Sequence, residues 1–320
     1  LTDHSDQLVT RLGARGSLLS RMQSQWVADQ LEKLRPGIKV ELQIIRTSGD
    51  RMRSQPLRDI GGKGLFTREL EEALLAGQID MAVHSYKDVP VTMSAKAQEG
   101  LVVAAVPPRE DVRDALIWRE NGTLEQLPAG CRIGTSSLRR QAQILALRPD
   151  VQVCSIRGNI DTRIRKFRDG NYDAIILAMA GLRRSGLFDS GEMVPIDTDE
   201  MLPAAGQGAL MVQCRRDDQR TRDLLAVLDD PDVRFCVELE RAIVARLGGD
   251  CHSPIAALAR IEGGMVSLEA AVGRRNGRPP VLRASAQEPP AQALAAVEAV
   301  MRSLEDQGAR RMLSEEQDDG

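Results

Sequence analysis

Residues 78–90 read QIDMAVHSYKDVP. The apolar run Ile79–Val83 has the length of a buried strand, and polar side chains and a proline follow it at once. His84, Ser85, Tyr86, Lys87 and Asp88 therefore crowd the C-terminal end of a strand, the end where open α/β sheets bind their ligands. Working outward, Lys39–Arg46, Leu101–Val106, Val151–Ile156 and Tyr172–Met179 also read as strands. Ser17–Leu34, Thr67–Ala76, Ser136–Leu147 and Asn159–Arg168 carry apolar residues at helical spacing. This alternation predicts an α/β fold with largely parallel sheets.

Breaks fall at Pro107-Pro108, in the turn-rich stretch Ser185–Pro203 and at Asp229-Asp230-Pro231. Beyond them a helix is predicted over Val233–Leu247, stopped by Gly248-Gly249. Two strands, Ile255–Glu262 and Val266–Val272, flank Gly263-Gly264 as a hairpin, and Ala291–Gln307 is a last amphipathic helix before an acidic tail. The expected architecture is two α/β lobes followed by a smaller α+β domain.

Composition bounds the function classes. Of 320 residues, 42% are hydrophobic and 28% charged, which fits a globular protein and excludes a disordered one. The longest apolar run, Ala174–Leu182, falls well short of the roughly 20 residues of a membrane span, so no membrane partner is expected. Leu1–Gln7 is polar and acidic, and no secretory or import segment is expected there. Five cysteines without a CxxC pair, and three histidines, argue against a disulfide framework or a metal site and for a reducing, cytoplasmic compartment.

The net charge of −3 conceals a basic block. All but six of the 43 basic residues are arginine, and nine basic residues face only three acidic ones between Cys131 and Gly170. Arginine suits bidentate capture of carboxylates or phosphates. With aromatics at 2% there is no stacking platform for single-stranded nucleic acid, and no nucleic-acid partner is expected.

Four segments can carry chemistry. Gly61–Phe66 (GGKGLF) precedes a helix and either cradles an anion or is a flexible loop; it lacks P-loop spacing. Asp88 is either a charge-stabilising, proton-shuttling carboxylate or a turn former before Pro90. Thr135, Ser136, Ser137, Arg139 and Arg140 open a helix after a short strand, and Arg157-Gly158-Asn159 with Arg163 repeats the pattern. Arginines in a first helical turn oppose the helix dipole, which points to an anionic ligand and to one polyanion site, against the alternative of solvated surface charge. Cys251, in GGDCHSP (248–254), is a thiol nucleophile or attachment point, or else an exposed bystander.

Taken in order, Arg15-Gly16-Ser17, Gly61–Phe66, His84–Pro90, Gly134–Gln141, Arg157–Arg163, Ala205–Gly208, Glu240-Arg241 and Gly248–Pro254 resemble the porphobilinogen deaminase (hydroxymethylbilane synthase) family. The resemblance runs from Arg15 to Pro254. It implies a cytoplasmic transferase of tetrapyrrole and haem biosynthesis that condenses four porphobilinogen molecules head to tail, releasing ammonia each time. It also implies a dipyrromethane cofactor joined by a thioether to Cys251, a catalytic Asp88 and a monomer. A buried carboxylate would stabilise the electron-poor azafulvenium species formed when ammonia leaves. The substrate's acetate and propionate groups account for the arginines. By matching motifs, Arg15, Ser17, Lys87, Thr135, Ser136, Ser137, Arg139, Arg140, Arg157 and Arg163 would bind the cofactor, and Lys63, Phe66 and Arg184 the substrate. The family fold implies two periplasmic-binding-protein-like lobes with the site in the cleft between them. Domain 1 is expected at 7–106 plus 205–228, domain 2 at 107–204, and domain 3, with the cysteine loop, at 229–320.

The chain departs from the family pattern at Ala14, Asp59, Tyr86 and Asp250. A carboxylate next to Cys251 is expected to raise the thiol pKa and slow attachment. Two competing readings are a solute-binding protein for a small dicarboxylate and a regulatory effector-binding module. The first has no need of Cys251, and the second is unsupported by any helix-turn-helix pattern.

Overall fold

The computed structural model describes residues 8–45, 67–91, 94–250 and 252–314. In chain order the elements are β1 (Leu8–Arg15), α1 (Leu18–Leu34), β2 (Ile38–Ile45), α2 (Arg68–Leu75), β3 (Met81–Ser85), α3 (Ala95–Gly100), β4 (Leu101–Ala105) and β5 (Asp114–Trp118). Next come β6 (Arg132–Gly134), α4 (Leu138–Leu147), β7 (Gln152–Cys154), α5 (Ile160–Arg168), β8 (Ala174–Ala178), α6 (Met179–Arg184) and β9 (Met193–Ile196). The chain ends with β10 (Leu210–Arg215), α7 (Gln219–Leu225), α8 (Pro231–Arg246), β11 (Ile255–Glu262), β12 (Met265–Val272), β13 (Leu282–Glu288), α9 (Ala293–Asp306) and α10 (Ala309–Ser314).

The chain divides into two compact units, Leu1–Arg109 with Ala209–Arg234, and Glu110–Gly208 with Phe235–Gly320. The first holds a five-stranded sheet in the order β2-β1-β3-β10-β4. Its strands β2, β1 and β3 are parallel, and β10 enters antiparallel between β3 and β4. The second unit holds a sheet of the same design, β7-β6-β8-β5-β9, with β7, β6 and β8 parallel and β5 antiparallel between β8 and β9. Each parallel pair needs a crossover helix, supplied by α1 in the first unit and by α4 and α5 in the second.

Both sheets are covered on two faces, so their central strands are largely buried. Every residue of β5 is buried, and four of five in β3 and β8. In the first unit one core lies between the sheet and α1 (Leu12, Val27, Leu31, Met81, Val83, Val212), and another lies toward α2 (Leu70, Leu74, Ile79, Ala82). The second sheet is packed likewise, around Leu116, Ile133, Ile144 and Ile176 on one face and Ile117, Ile164, Phe167 and Ile175 on the other.

The second unit also contains the antiparallel sheet β11-β12-β13, backed by α9 through Ala296, Val297, Val300 and Leu304. The β11–β12 register runs from Ile255↔Val272 to Glu262↔Met265, closed by Gly263 and Gly264, both at positive φ. This sheet seats on the crossover segment: Leu202 packs among Ala256, Leu258 and Ala271, and Ala257 N donates to Pro203 O. The fold is thus α/β with two lobes of one design and a small α+β element.

Among the described residues no helix is long and apolar enough to cross a membrane, and no group of three or more His, Cys, Asp or Glu side chains could hold a metal ion.

Candidate active site

In the first unit a pocket lies at the carboxyl end of β1 and β3. Arg15, Ser17, Thr67, His84 and Asp88 are among its lining residues. Arg15 is the last residue of β1, and its N–H donates to Ser20 Oγ at 3.1 Å. Ser17 is the N-cap of α1, its hydroxyl accepting from Ser20 N at 3.3 Å. After β3 a single 3₁₀ turn, Tyr86–Asp88, reverses the chain: Tyr86 N donates to Ala209 O, and Val89 N to Tyr86 O.

That turn has a consequence for Asp88. The sequence calls for a buried carboxylate here, but the turn buries Tyr86 and Val89 as anchors and leaves Asp88 exposed at the pocket wall. Tyr86 opens the turn and Val89 leaves it in extended backbone, both buried, with Asp88 exposed between them. Lys87 sits on the same turn, half-buried.

His84 lines the pocket at 6% exposure, and its Nε2 has no hydrogen-bond partner. Burial lowers its pKa to about 4, against a hydrogen bond with Gln213 and reinforced by the charge of Arg15, so the ring is neutral. Beside it, Gln23 Nε2 donates to Ser85 Oγ at 3.0 Å, tying α1 to the end of β3.

In the second unit two turns lie side by side because β6 and β7 are parallel neighbours, with Thr135 N donating to Cys154 O. Ser136 Oγ joins them, 2.9 Å from Ser155 Oγ and donating to Ile156 O at 2.7 Å. Thr135 Oγ1 accepts from Ser137 N, and Ser137 caps α4. All three hydroxyls expected to face a ligand thus shape the turns. Arg157 and Arg163 flank the second turn, where Arg163 Nε donates to Gly158 O at 2.8 Å. Gly158 has φ +116°, a conformation that L side chains rarely adopt.

Arg139 and Arg140 are drawn inward by a partner from β5. Their place in the first turn of α4 suggests an external anion, yet both side chains turn into the interior onto Asp114. Arg139 Nη2 lies 2.8 Å from Oδ2 and Arg140 Nη2 2.7 Å from Oδ1. The offset to the helix dipole is an internal carboxylate at the start of β5. Arg184, at the end of α6, is partly buried, which pulls its pKa down to about 10 against the charge of Glu110.

Lys63, Phe66 and Cys251 lie outside the described residues. Next to Cys251, Asp250 Oδ1 accepts from His252 N and Ser253 Oγ, both at 2.9 Å. Burial raises the pKa of Asp250, but these hydrogen bonds outweigh it and hold the carboxyl below its usual value. The four described cysteines are free thiols, and burial pushes Cys131 and Cys214 up to about 11.

Comparison with known proteins decides the family. Residues 10–223 match the family described as porphobilinogen deaminase, dipyromethane cofactor binding domain, and residues 234–306 match the porphobilinogen deaminase C-terminal domain. The chain belongs to the porphobilinogen deaminase family. The porphobilinogen deaminase of Syntrophobacter fumaroxidans is 46% identical over 307 residues, 96% of this chain and 97% of that protein. The porphobilinogen deaminase of a Roseiflexus species is 45% identical over 305 residues, 95% and 98% of the two chains. Among solved structures, the periplasmic VFT2 domain of Bordetella pertussis BvgS matches with a TM-score of 0.36 and 13% identity, over 69% of this chain and 86% of that one. The family is one of transferases acting in tetrapyrrole biosynthesis, and the greater part of this chain corresponds to its dipyrromethane-binding region.

Sequence reasoning missed Asp114, Gln23 and Thr67 as parts of these sites. Asp114 carries a readable signal: it stands immediately before the apolar run Ala115–Trp118, a charge at a strand start where a core must begin.

Proposed function

We propose that this chain condenses porphobilinogen head to tail, four molecules per product, releasing one ammonia for each, as a cytoplasmic monomer. In each condensation the aminomethyl C–N bond breaks, a C–C bond to the next pyrrole forms, and that pyrrole's α-proton is lost. The observation that carries this reading is the pocket that groups Asp88, Arg15 and Ser17 at the carboxyl end of β3, within the residues that match the cofactor-binding domain.

As ammonia leaves, positive charge develops on the substrate pyrrole. Asp88 is assigned to oppose that charge and to accept the ring N–H. Arg15 is assigned a substrate carboxylate, helped by the N-terminal dipole of α1 and the Ser17 hydroxyl. Burial keeps His84 neutral beside Arg15, so it adds no second positive charge to the pocket at neutral pH.

The residues present suit a dipyrromethane, which carries four carboxylates. In the second unit Arg140 Nε is buried with no hydrogen-bond partner, and Arg157, Arg163 and Arg184 add further cationic groups. We assign Arg15, Ser17, Lys87, Thr135, Ser136, Ser137, Arg139, Arg140, Arg157 and Arg163 to hold the group, the three hydroxyls by shaping the turns. Cys251 would attach it, and Lys63, Phe66 and Arg184 would contact substrate. When bound, the dipyrromethane supplies the free pyrrole position at which the product chain starts. Four free cysteine thiols are compatible with a reducing compartment.

The test is porphobilinogen consumption and ammonia release by the purified chain and by Asp88→Asn. The wild type is expected to turn over, and Asp88→Asn to lose elongation while keeping its circular dichroism spectrum. Near-normal turnover in Asp88→Asn would remove Asp88 from this role.

A further inference from the structure

Arg139 and Arg140 are consecutive residues of α4, and consecutive helix positions diverge by about 100° around the axis. Two guanidinium groups side by side are not what helix geometry delivers, so something must gather them. Asp114 does so with one oxygen each, at 2.8 and 2.7 Å. The carboxylate is itself held: Gln207 Nε2 donates to Oδ1 at 2.9 Å and to Val112 O at 2.8 Å. The second arm of each arginine ends on a backbone carbonyl, Leu202 O for Arg139 and Ile176 O for Arg140.

The cluster is interior. Asp114 is 0% exposed, Arg139 4% and Arg140 6%. Among the described residues Asp114 is the only carboxylate ion-paired with either arginine, so the cluster contains two positive charges and one negative. Asp114 opens β5 opposite Ala178, the last residue of β8, which places the cluster at the carboxyl end of the parallel strands.

We infer that Asp114 is a positioning residue, clamped by Gln207, that holds Arg139 and Arg140 together with one unmatched positive charge and so presents a preorganised acceptor for one ligand carboxylate. Without its charge, two guanidinium groups repel at short range in a poorly screened interior and cannot both stay. A preformed pair binds without paying to order two long side chains. The inference rests on the reading of the chain as a porphobilinogen-condensing enzyme, and it gives a role to the Ala205–Gly208 motif through Gln207.

The experiment follows, by intact mass, the rate at which the cofactor-free chain gains dipyrromethane on incubation with porphobilinogen, together with kcat and KM of the loaded enzyme. It uses wild type, Asp114→Asn, Arg140→Gln and the double variant. Asp114→Asn is expected to slow loading at least tenfold and to raise KM with little change in kcat. The double variant is expected to be no slower than Arg140→Gln alone. Should Asp114→Asn fail to fold, Gln207→Leu is expected to slow loading two- to fivefold, again with no additional effect on Arg140→Gln. Wild-type loading in Asp114→Asn or, where that variant does not fold, in Gln207→Leu overturns the inference. So do fully multiplicative effects in the double variant. A wild-type chain that gains no mass overturns the proposed function instead.

Discussion

His84 gives a pH dependence that can be worked out in advance. It is 6% exposed and neutral, with its pKa lowered to about 4 by burial, while the unfolded chain has the ordinary value of 6.5. Arg15 from β1 and Gln213 from β10 act on it directly, and Thr67 before α2 and Asp88 from the following turn line the same pocket. Because the unfolded state takes up the proton first, stability is complete above pH 6.5 and is lost as pH falls from 6.5 toward 4. The whole difference, about 2.5 units, is worth about 3 kcal/mol, and about 2 kcal/mol of it is lost between pH 7.5 and pH 5. The assay is urea unfolding of wild type and His84→Asn across that interval. Other carboxylates titrate in both proteins, so the difference between the two curves isolates His84. The wild type is expected to lose about 2 kcal/mol more than His84→Asn between pH 7.5 and pH 5. Parallel curves would show that His84 has the same pKa in the folded and unfolded chains and would refute the reasoning; a wild type that gains stability relative to His84→Asn on acidification would refute it as well.

Three further outcomes follow. Glu240 is fully buried and accepts from Gly206 N at 2.7 Å and Ala259 N at 2.9 Å, so Glu240→Ala strands two interior donors and is expected to cost about 2–5 kcal/mol, read by calorimetry. Gly158→Ala forces an L residue to φ +116° with a new Cβ 2.7 Å from Thr162, which is expected to displace the Arg157–Arg163 turn and raise KM more than it lowers kcat in steady-state assays. Asp250 stays ionised at neutral pH next in sequence to Cys251, so Asp250→Asn, which keeps an acceptor for His252 N and Ser253 Oγ, is expected to speed dipyrromethane loading of the cofactor-free chain; unchanged loading kinetics removes that brake.

Much of the fold is legible because long periodic segments bury one face. Helices over 18–34, 138–147 and 160–168 and the strand 255–262 all lie where apolar spacing puts them. The illegible parts have specific causes. β1, an interior strand of the first sheet, reads LVTRLGAR, where Arg11 breaks the apolar pattern; its guanidinium is matched by Asp80, 69 residues later. β10 and β5, the antiparallel inserts that give both sheets their design, pair with strands far off in sequence, and local patterning is silent about such partners. β7 pairs over only three residues because a turn shaped by Ser136 and Gly158 follows it.

The candidate site divides in the same way. Asp88 follows the readable apolar run Ile79–Val83, so its place at a strand end is legible, whereas Arg15 and Ser17 at the end of β1 are marked only by the family motif. The inward turn of Arg139 and Arg140 is not, because it depends on Asp114, a residue 25 positions earlier in the chain. Nor is the exposure of Asp88, which is set by the neighbouring anchors Tyr86 and Val89.

The most direct test of the central claim is the intact mass of the purified chain beside a Cys251→Ser control. An added mass equal to two linked pyrrole units on the wild type, absent from Cys251→Ser, is the expected result. A wild-type mass equal to the bare polypeptide, unchanged after incubation with porphobilinogen, would contradict the account.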